Sequence, residues 1–225
     1  GSSVDGGLKP QSDVDLLVII NRDLQNAERH SLAQKLLDIS VPIGRLDGRA
    51  LEITVLNSPK ITAQTYPFSY EMQWGEWLRA ELVQGLPLES SEDPDIAILL
   101  KKVQLHHHVL LGEPPSVYLP TVTDDLLERA IGDTYPQIVA HWDEDDDEFN
   151  QILALCRMCY TLQYKEIVPK DVAAEWFISS LQHDDVDDQS TYALQLMINA
   201  YIGQTEPQNW TLFHAELAKL VKVLS

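Results

Sequence analysis

Apolar positions change their period about halfway along this 225-residue chain. In the first half, short aliphatic runs alternate with longer amphipathic stretches. Val14–Ile20 is rich in aliphatic and β-branched residues and predicts a buried strand; residues 51–56 predict a second. Between them, residues 24–39 carry the wider spacing of a helix. Further helices are predicted near Trp77 and over residues 94–111, with Pro94 suited to a first turn and Gly112 to the stop. Glu113-Pro114-Pro115-Ser116 then reads as a hinge. Beyond it strand patterns vanish, and residues 124–131, 148–164, 171–181, 190–202 and 210–224 all read as helices. The predicted class is α+β: a mixed domain over residues 1–118, then an all-α helical bundle over 119–225. Trp74 and Trp77, three apart on a helix, are both candidates for the core.

The first strand carries the chemistry. A loop of small residues, Gly1-Ser2-Ser3 and Gly6-Gly7, leads into Asp13-Val14-Asp15 at the strand start. Alternation puts Asp13 and Asp15 on one face, about 6–7 Å apart. Two carboxylates on one face repel unless a cation lies between them. Mg²⁺ takes oxygen ligands and leaves positions open for phosphate. The glycine and serine residues ahead of the pair offer N–H groups and hydroxyls to a triphosphate. In Arg49-Ala50-Leu51-Glu52-Ile53-Thr54-Val55, Glu52 and Thr54 face away from Leu51, Ile53 and Val55. On a neighbouring strand, Glu52 completes a three-carboxylate site suited to nucleotidyl transfer. The competing readings are an Asp-x-Asp turn and a solvated Glu52.

Charge narrows the partners. Sixteen Lys and Arg against 35 Asp and Glu give −19, which disfavours nucleic acid and favours polycations. No apolar run approaches the roughly 20 residues that cross a bilayer. Cys156 and Cys159 share one helical run without a second ligand pair, and so read as core filler rather than a metal or redox site. His106-His107-His108 lie within the predicted helix 94–111, where neighbours point in different directions.

From Gly1 to Val18 the chain resembles the signature of the aminoglycoside nucleotidyltransferases, and more narrowly the streptomycin/spectinomycin adenylyltransferases. The resemblance continues in family order through Arg49–Val55, Gly75-Glu76-Trp77-Leu78-Arg79, Asp93–Leu100, Asp147-Glu148, Leu155-Cys156-Arg157-Met158 and Pro169–Trp176, to about Gly203. It implies a nucleotidyltransferase-fold N-terminal domain, a helical C-terminal domain and an active site in the cleft between them. In the family a helix and a strand precede the Gly-Ser loop, so residues upstream of Gly1 are expected. The implied reaction is attack of a drug hydroxyl on the α-phosphorus of ATP, with Mg²⁺ held by Asp13 and Asp15. Glu52 is the expected general base and also contacts the acceptor. Ser2, Ser12, Arg157, Lys170 and Tyr201 are implied as nucleotide contacts, and Trp77 and Asp147 as drug contacts. Arg157, midway along an apolar helix, calls for a fixed anionic partner: an internal acid or a triphosphate. The acceptors implied are spectinomycin and streptomycin, with antibiotic resistance as the outcome, a monomer as the expected state and the cytoplasm as the location.

One departure bears on the acceptor. Members that also modify streptomycin carry a Trp and an Asp upstream of the Asp147 position. Here Gln137 or Ile138 fills the Trp slot and Asp143 the Asp slot; Trp142 reaches the aromatic role only after a local shift. A spectinomycin-only enzyme is therefore the nearest alternative. Others are a nucleotidyltransferase acting on a protein or RNA and a non-catalytic ligand-binding relative. The three intact acids argue against the last.

Overall fold

A computed structural model describes residues 3–4, 7–10, 12–42, 45, 47–143, 147–181, 186–206 and 208–224. The chain divides into two compact units. One comprises Gly1–Val4 and Ser12–Ala130; the other comprises Asp5–Gln11 and Ile131–Ser225. The division lies within the helix beyond the Pro-Pro segment.

In the first unit, β1 (Val14–Ile20) leads through α1 (Asn26–Ile39) into β2 (Leu51–Asn57). β1 and β2 pair in parallel, joined by the helical crossover that parallel strands require. α1 starts with reciprocal capping by Gln25 and Glu28, which occupies N–H groups at its first turn. α2 (Ser58–Ala63) comes directly after, its start capped by the Asn57 side chain. Next come β3 (Ser69–Tyr70) and β4 (Met72–Trp74); β4 pairs antiparallel with β2, making β2 the central strand of three. After a 3₁₀ turn over Glu76–Leu78 come α3 (Arg79–Val83), β5 (Ser91–Glu92), which pairs with β3, and α4 (Asp95–Leu105). One sheet face, Ile53, Val55, Met72 and Trp74, packs on Ala33 and Leu36 of α1 and on Leu82 of α3. The opposite face is left for the carboxylates.

Strands β3 to β5 are too short to show alternation in the sequence. The helix expected near Trp77 is the 3₁₀ turn running into α3, but Trp74 is not on it: Trp74 ends β4 fully buried, and Trp77 lies on the 3₁₀ turn with 55% of its surface exposed. A buried ion cluster fixes β4. Glu71 is 1% exposed and accepts from Leu24 N (3.0 Å), Arg29 Nη2 (3.0 Å) and Lys60 Nζ (2.7 Å). Arg29 Nε also donates to the Glu71 carbonyl at 2.6 Å. With its lone pairs engaged, a carboxylate tolerates burial.

α4 stops six residues short of the expected Leu111, and His106 is already extended. Gln104 ties the returning chain to the helix, donating to the Pro120 carbonyl at 2.7 Å and accepting from Val122 N at 3.2 Å. Leu110 and Leu111 are 76% and 95% exposed, so no apolar face rewards continuing the helix. The three histidines therefore lie beyond the helix, all exposed.

Helix α5 (Asp124–His141) runs ten residues past its predicted end, through Gly132 and Pro136. Both residues are local stop signals, yet Tyr135, Ile138 and Val139 pack on the bundle core and carry the helix on. The bundle continues with α6 (Glu148–Tyr164), α7 (Lys170–Ser180), α8 (Asp188–Tyr201) and α9 (His214–Leu224). Ile152, Leu155 and Cys156 of α6, Ala174 and Phe177 of α7, and Leu194 and Met197 of α8 form its centre with Leu217 and Leu220 of α9. Cys156 is wholly buried and Cys159 lies 3.3 Å from the Tyr135 hydroxyl; burial pushes both thiols up. They are packing groups, as the helical spacing implied.

Candidate active site

The parallel register pairs Asp15 with Glu52, so both side chains leave the same face of the sheet. Asp13 precedes β1 on that face. Carboxylate oxygens of Asp13, Asp15 and Glu52 lie within 4.8 Å of one another, and all three residues are half-buried. Burial first, then the charges of Asp15 and Asp13, push Glu52 up to about 8. Lys102 opposes this and Asp95 adds to it. These two stand seven apart, two turns along α4, on one helical face; that spacing is the signal by which the sequence could have revealed them. Three acids this close cannot all ionise near neutrality without a compensating cation. An all-oxygen donor set suits a hard divalent ion, so the residues fit Mg²⁺.

Ser12 stands immediately before the acids, half-buried, with its carbonyl 3.5 Å from Arg49 Nη1. Ser2 lies outside the described residues.

Trp77 is held from below. Arg79 Nε donates to Glu76 Oε2 at 2.6 Å, and Arg79 Nη2 to Glu76 Oε1 at 2.9 Å and to the Ser40 carbonyl at 2.8 Å. Ser40 Oγ also hydrogen-bonds Glu76. The turn carrying Trp77 is thereby fastened to the end of α1. The indole covers Gly75: a Cβ built there would lie 1.9 Å from Trp77 Cζ3. Trp77 also lines an open groove of about 300 Å³ with Tyr70, Gln73, Glu81, Glu89 and Ser91. Gln73 sits opposite Thr54 in the β2–β4 register, on the face that carries Glu52. The sequence did not point to Gln73, because β4 has only three residues.

In the helical unit, Asp147 precedes α6, and its carboxylate accepts from Asn150 Nδ2 and Gln151 Nε2, both at 2.8 Å. Lys170 Nζ donates to Asn150 Oδ1 at 3.2 Å, so Asn150 joins the expected drug contact to an expected nucleotide contact. Arg157 is half-buried on α6; among the described residues its guanidinium has no hydrogen-bond or ion-pair partner. Of its two expected partners, no internal acid pairs with it among the described residues. Tyr201 is 6% exposed, with its ring 6.2 Å from that of Phe149 in the bundle core. Trp142 is also core, 8% exposed, with its ring 5.1 Å from His214. His214 Nε2 in turn pairs with Asp143 Oδ2 at 2.9 Å.

The family profile described as "Aminoglycoside adenylyltransferase, C-terminal domain" matches residues 118–225. A spectinomycin 9-adenylyltransferase of Staphylococcus aureus is 37% identical over 225 residues, covering all of this chain and 84% of the relative. The chain belongs to the aminoglycoside adenylyltransferase family. An aminoglycoside (3'')(9) adenylyltransferase of Escherichia coli is 35% identical over 209 residues, 92% of this chain and 77% of the relative. Among solved structures, this family member is similar to a spectinomycin adenyltransferase from Enterococcus faecialis with ATP and spectinomycin. That likeness has a TM-score of 0.88 at 28% identity, over 100% of this chain and 88% of that one. The protein is thus a nucleotidyltransferase built on the family's α+β fold and helical domain.

Proposed function

We propose that this adenylyltransferase moves AMP from ATP to a hydroxyl of spectinomycin, and that its acid cluster works with Mg²⁺. The observation that carries the reading is the approach of Asp13, Asp15 and Glu52 to within 4.8 Å. The acceptor oxygen attacks the α-phosphorus, pyrophosphate leaves, and Glu52 takes the hydroxyl proton. Glu52 must be ionised for this, so its rise to about 8 has to be offset by positive charge at the cluster. Asp13 and Asp15 are the ligands for that cation, which when bound neutralises phosphate charge. The half-buried guanidinium of Arg157, which has no partner among the described residues, supports a triphosphate contact. Lys170, Ser2, Ser12 and Tyr201 are further nucleotide contacts in this reading, and Trp77 and Asp147 are acceptor contacts. ATP as donor makes the cytoplasm the working compartment.

The narrower acceptor range has its own support. Trp142 is the tryptophan nearest in sequence to the slot expected for streptomycin, and it is packed in the helical core, 8% exposed. Asp143 in the acidic slot is engaged by His214. Core packing keeps the Trp142 ring from a second drug, and the exposed Asp143 carboxylate already has a partner in His214. The test is incubation with ATP, Mg²⁺ and each drug separately, then mass spectrometry of the products. An AMP adduct on spectinomycin alone is expected. Adducts on both would overturn the argument from Trp142. No adduct on either would redirect the search to protein or RNA acceptors.

A further inference from the structure

We propose that Lys9 and Asp171 form a positioning pair for the carboxylate site, an inference that rests on reading Asp13, Asp15 and Glu52 as cation ligands. Lys9 Nζ lies 3.3 Å from Asp171 Oδ2, with the two side chains only 20% and 15% exposed. A pair so far out of water loses hydration that its mutual attraction only partly returns. Asp171 Oδ1 is buried without a hydrogen-bond partner among the described residues. Fold stability alone is a weak reason to retain such a pair, since an apolar contact would serve as well.

The neighbouring residue is fastened too. Gly203, just beyond α8, is left-handed at φ +79°, and a Cβ there would lie 2.6 Å from Pro10 Cγ. Residues 9 and 10 thus meet the start of α7 and the end of α8, consistent with the grouping of Asp5–Gln11 with the helical unit. Only two residues then separate Pro10 from Asp13. Three residues of chain reach about 10 Å at most, and proline stiffens its end of the link. A shift at Pro10 therefore reaches Asp13, where cation binding depends on oxygen placement. Lys9 and Asp171 touch neither nucleotide nor metal in this account; they set where the backbone enters the site.

The test is binding of Mn²⁺ alone, monitored by electron paramagnetic resonance, alongside melting temperature and the KM and kcat for MgATP with spectinomycin. Lys9→Met is expected to stay folded, bind Mn²⁺ about fivefold more weakly and raise KM by a similar factor, with kcat changing less. The exchange Lys9→Asp with Asp171→Lys should recover most of the Mn²⁺ affinity. Should Lys9→Met fail to fold, Asp171→Asn carries the same comparison. Wild-type Mn²⁺ affinity in a folded variant overturns the proposal, as does a wild-type protein that binds no Mn²⁺. Mn²⁺ binding by the wild-type protein without AMP transfer to spectinomycin would instead sink the acceptor assignment and leave the positioning result standing.

Discussion

Replacing Glu52 by Gln should stabilise the metal-free protein while abolishing AMP transfer. In the folded chain Glu52 holds its proton up to pH about 8, against an ordinary 4.5. Between those values the folded state binds one proton more than the unfolded state, so stability falls as pH rises. Its contribution is full below pH 4.5 and gone above pH 8. The full interval of 3.5 pH units corresponds to about 5 kcal/mol at 1.36 kcal/mol per unit. Because Glu52 is half-buried, water and counter-ions screen part of this, and about 2–3 kcal/mol is the working figure. Gln keeps the shape and carries no charge. Thermal melts in EDTA should show Glu52→Gln matching wild type at pH 4.5 and melting about 4–10 °C higher at pH 8.5. With Mg²⁺ the gap should close or reverse, because the wild-type acid then gains a partner. A difference in EDTA that does not grow with pH would refute the electrostatic account. Retained turnover would remove Glu52 as the base.

Two further substitutions test how the first unit holds its site. Arg29→Leu leaves Glu71 buried with fewer donors and should cost about 3 kcal/mol in urea denaturation, part of it regained when Glu71→Leu is added; a loss below 1 kcal/mol would mean the cluster is not what holds β4. Gly75→Ala is conformationally permitted at φ −163°, so its effect is steric displacement of the Trp77 indole. It should raise KM for spectinomycin about tenfold and leave KM for ATP unchanged. An unchanged KM for spectinomycin would take Trp77 out of the acceptor site.

Local pattern carried much of this protein. An apolar run over residues 14–20 and alternation over 51–56 predicted two strands, with Asp13 and Asp15 on one face of the first and Glu52 on the polar side of the second. The 3.6 period defined α6 residue for residue, because its apolar stripe and its ends are written in adjacent positions. The features that needed the tertiary structure depend on partners distant in the chain. The register that sets Asp15 beside Glu52 is a choice among strand pairings that local pattern leaves open. α4 ends where Gln104 ties down a returning loop, and α5 continues past Gly132 and Pro136 because the bundle buries Tyr135, Ile138 and Val139. Trp74 and Trp77 have the same local pattern, yet one is buried beneath the sheet and the other lines a groove. Lys9 meets Asp171 across 162 positions, and Arg157 is left without an internal acid among the described residues. Residue type and period are local quantities; burial and ion pairing are decided by which segments meet, and only the folded chain settles that.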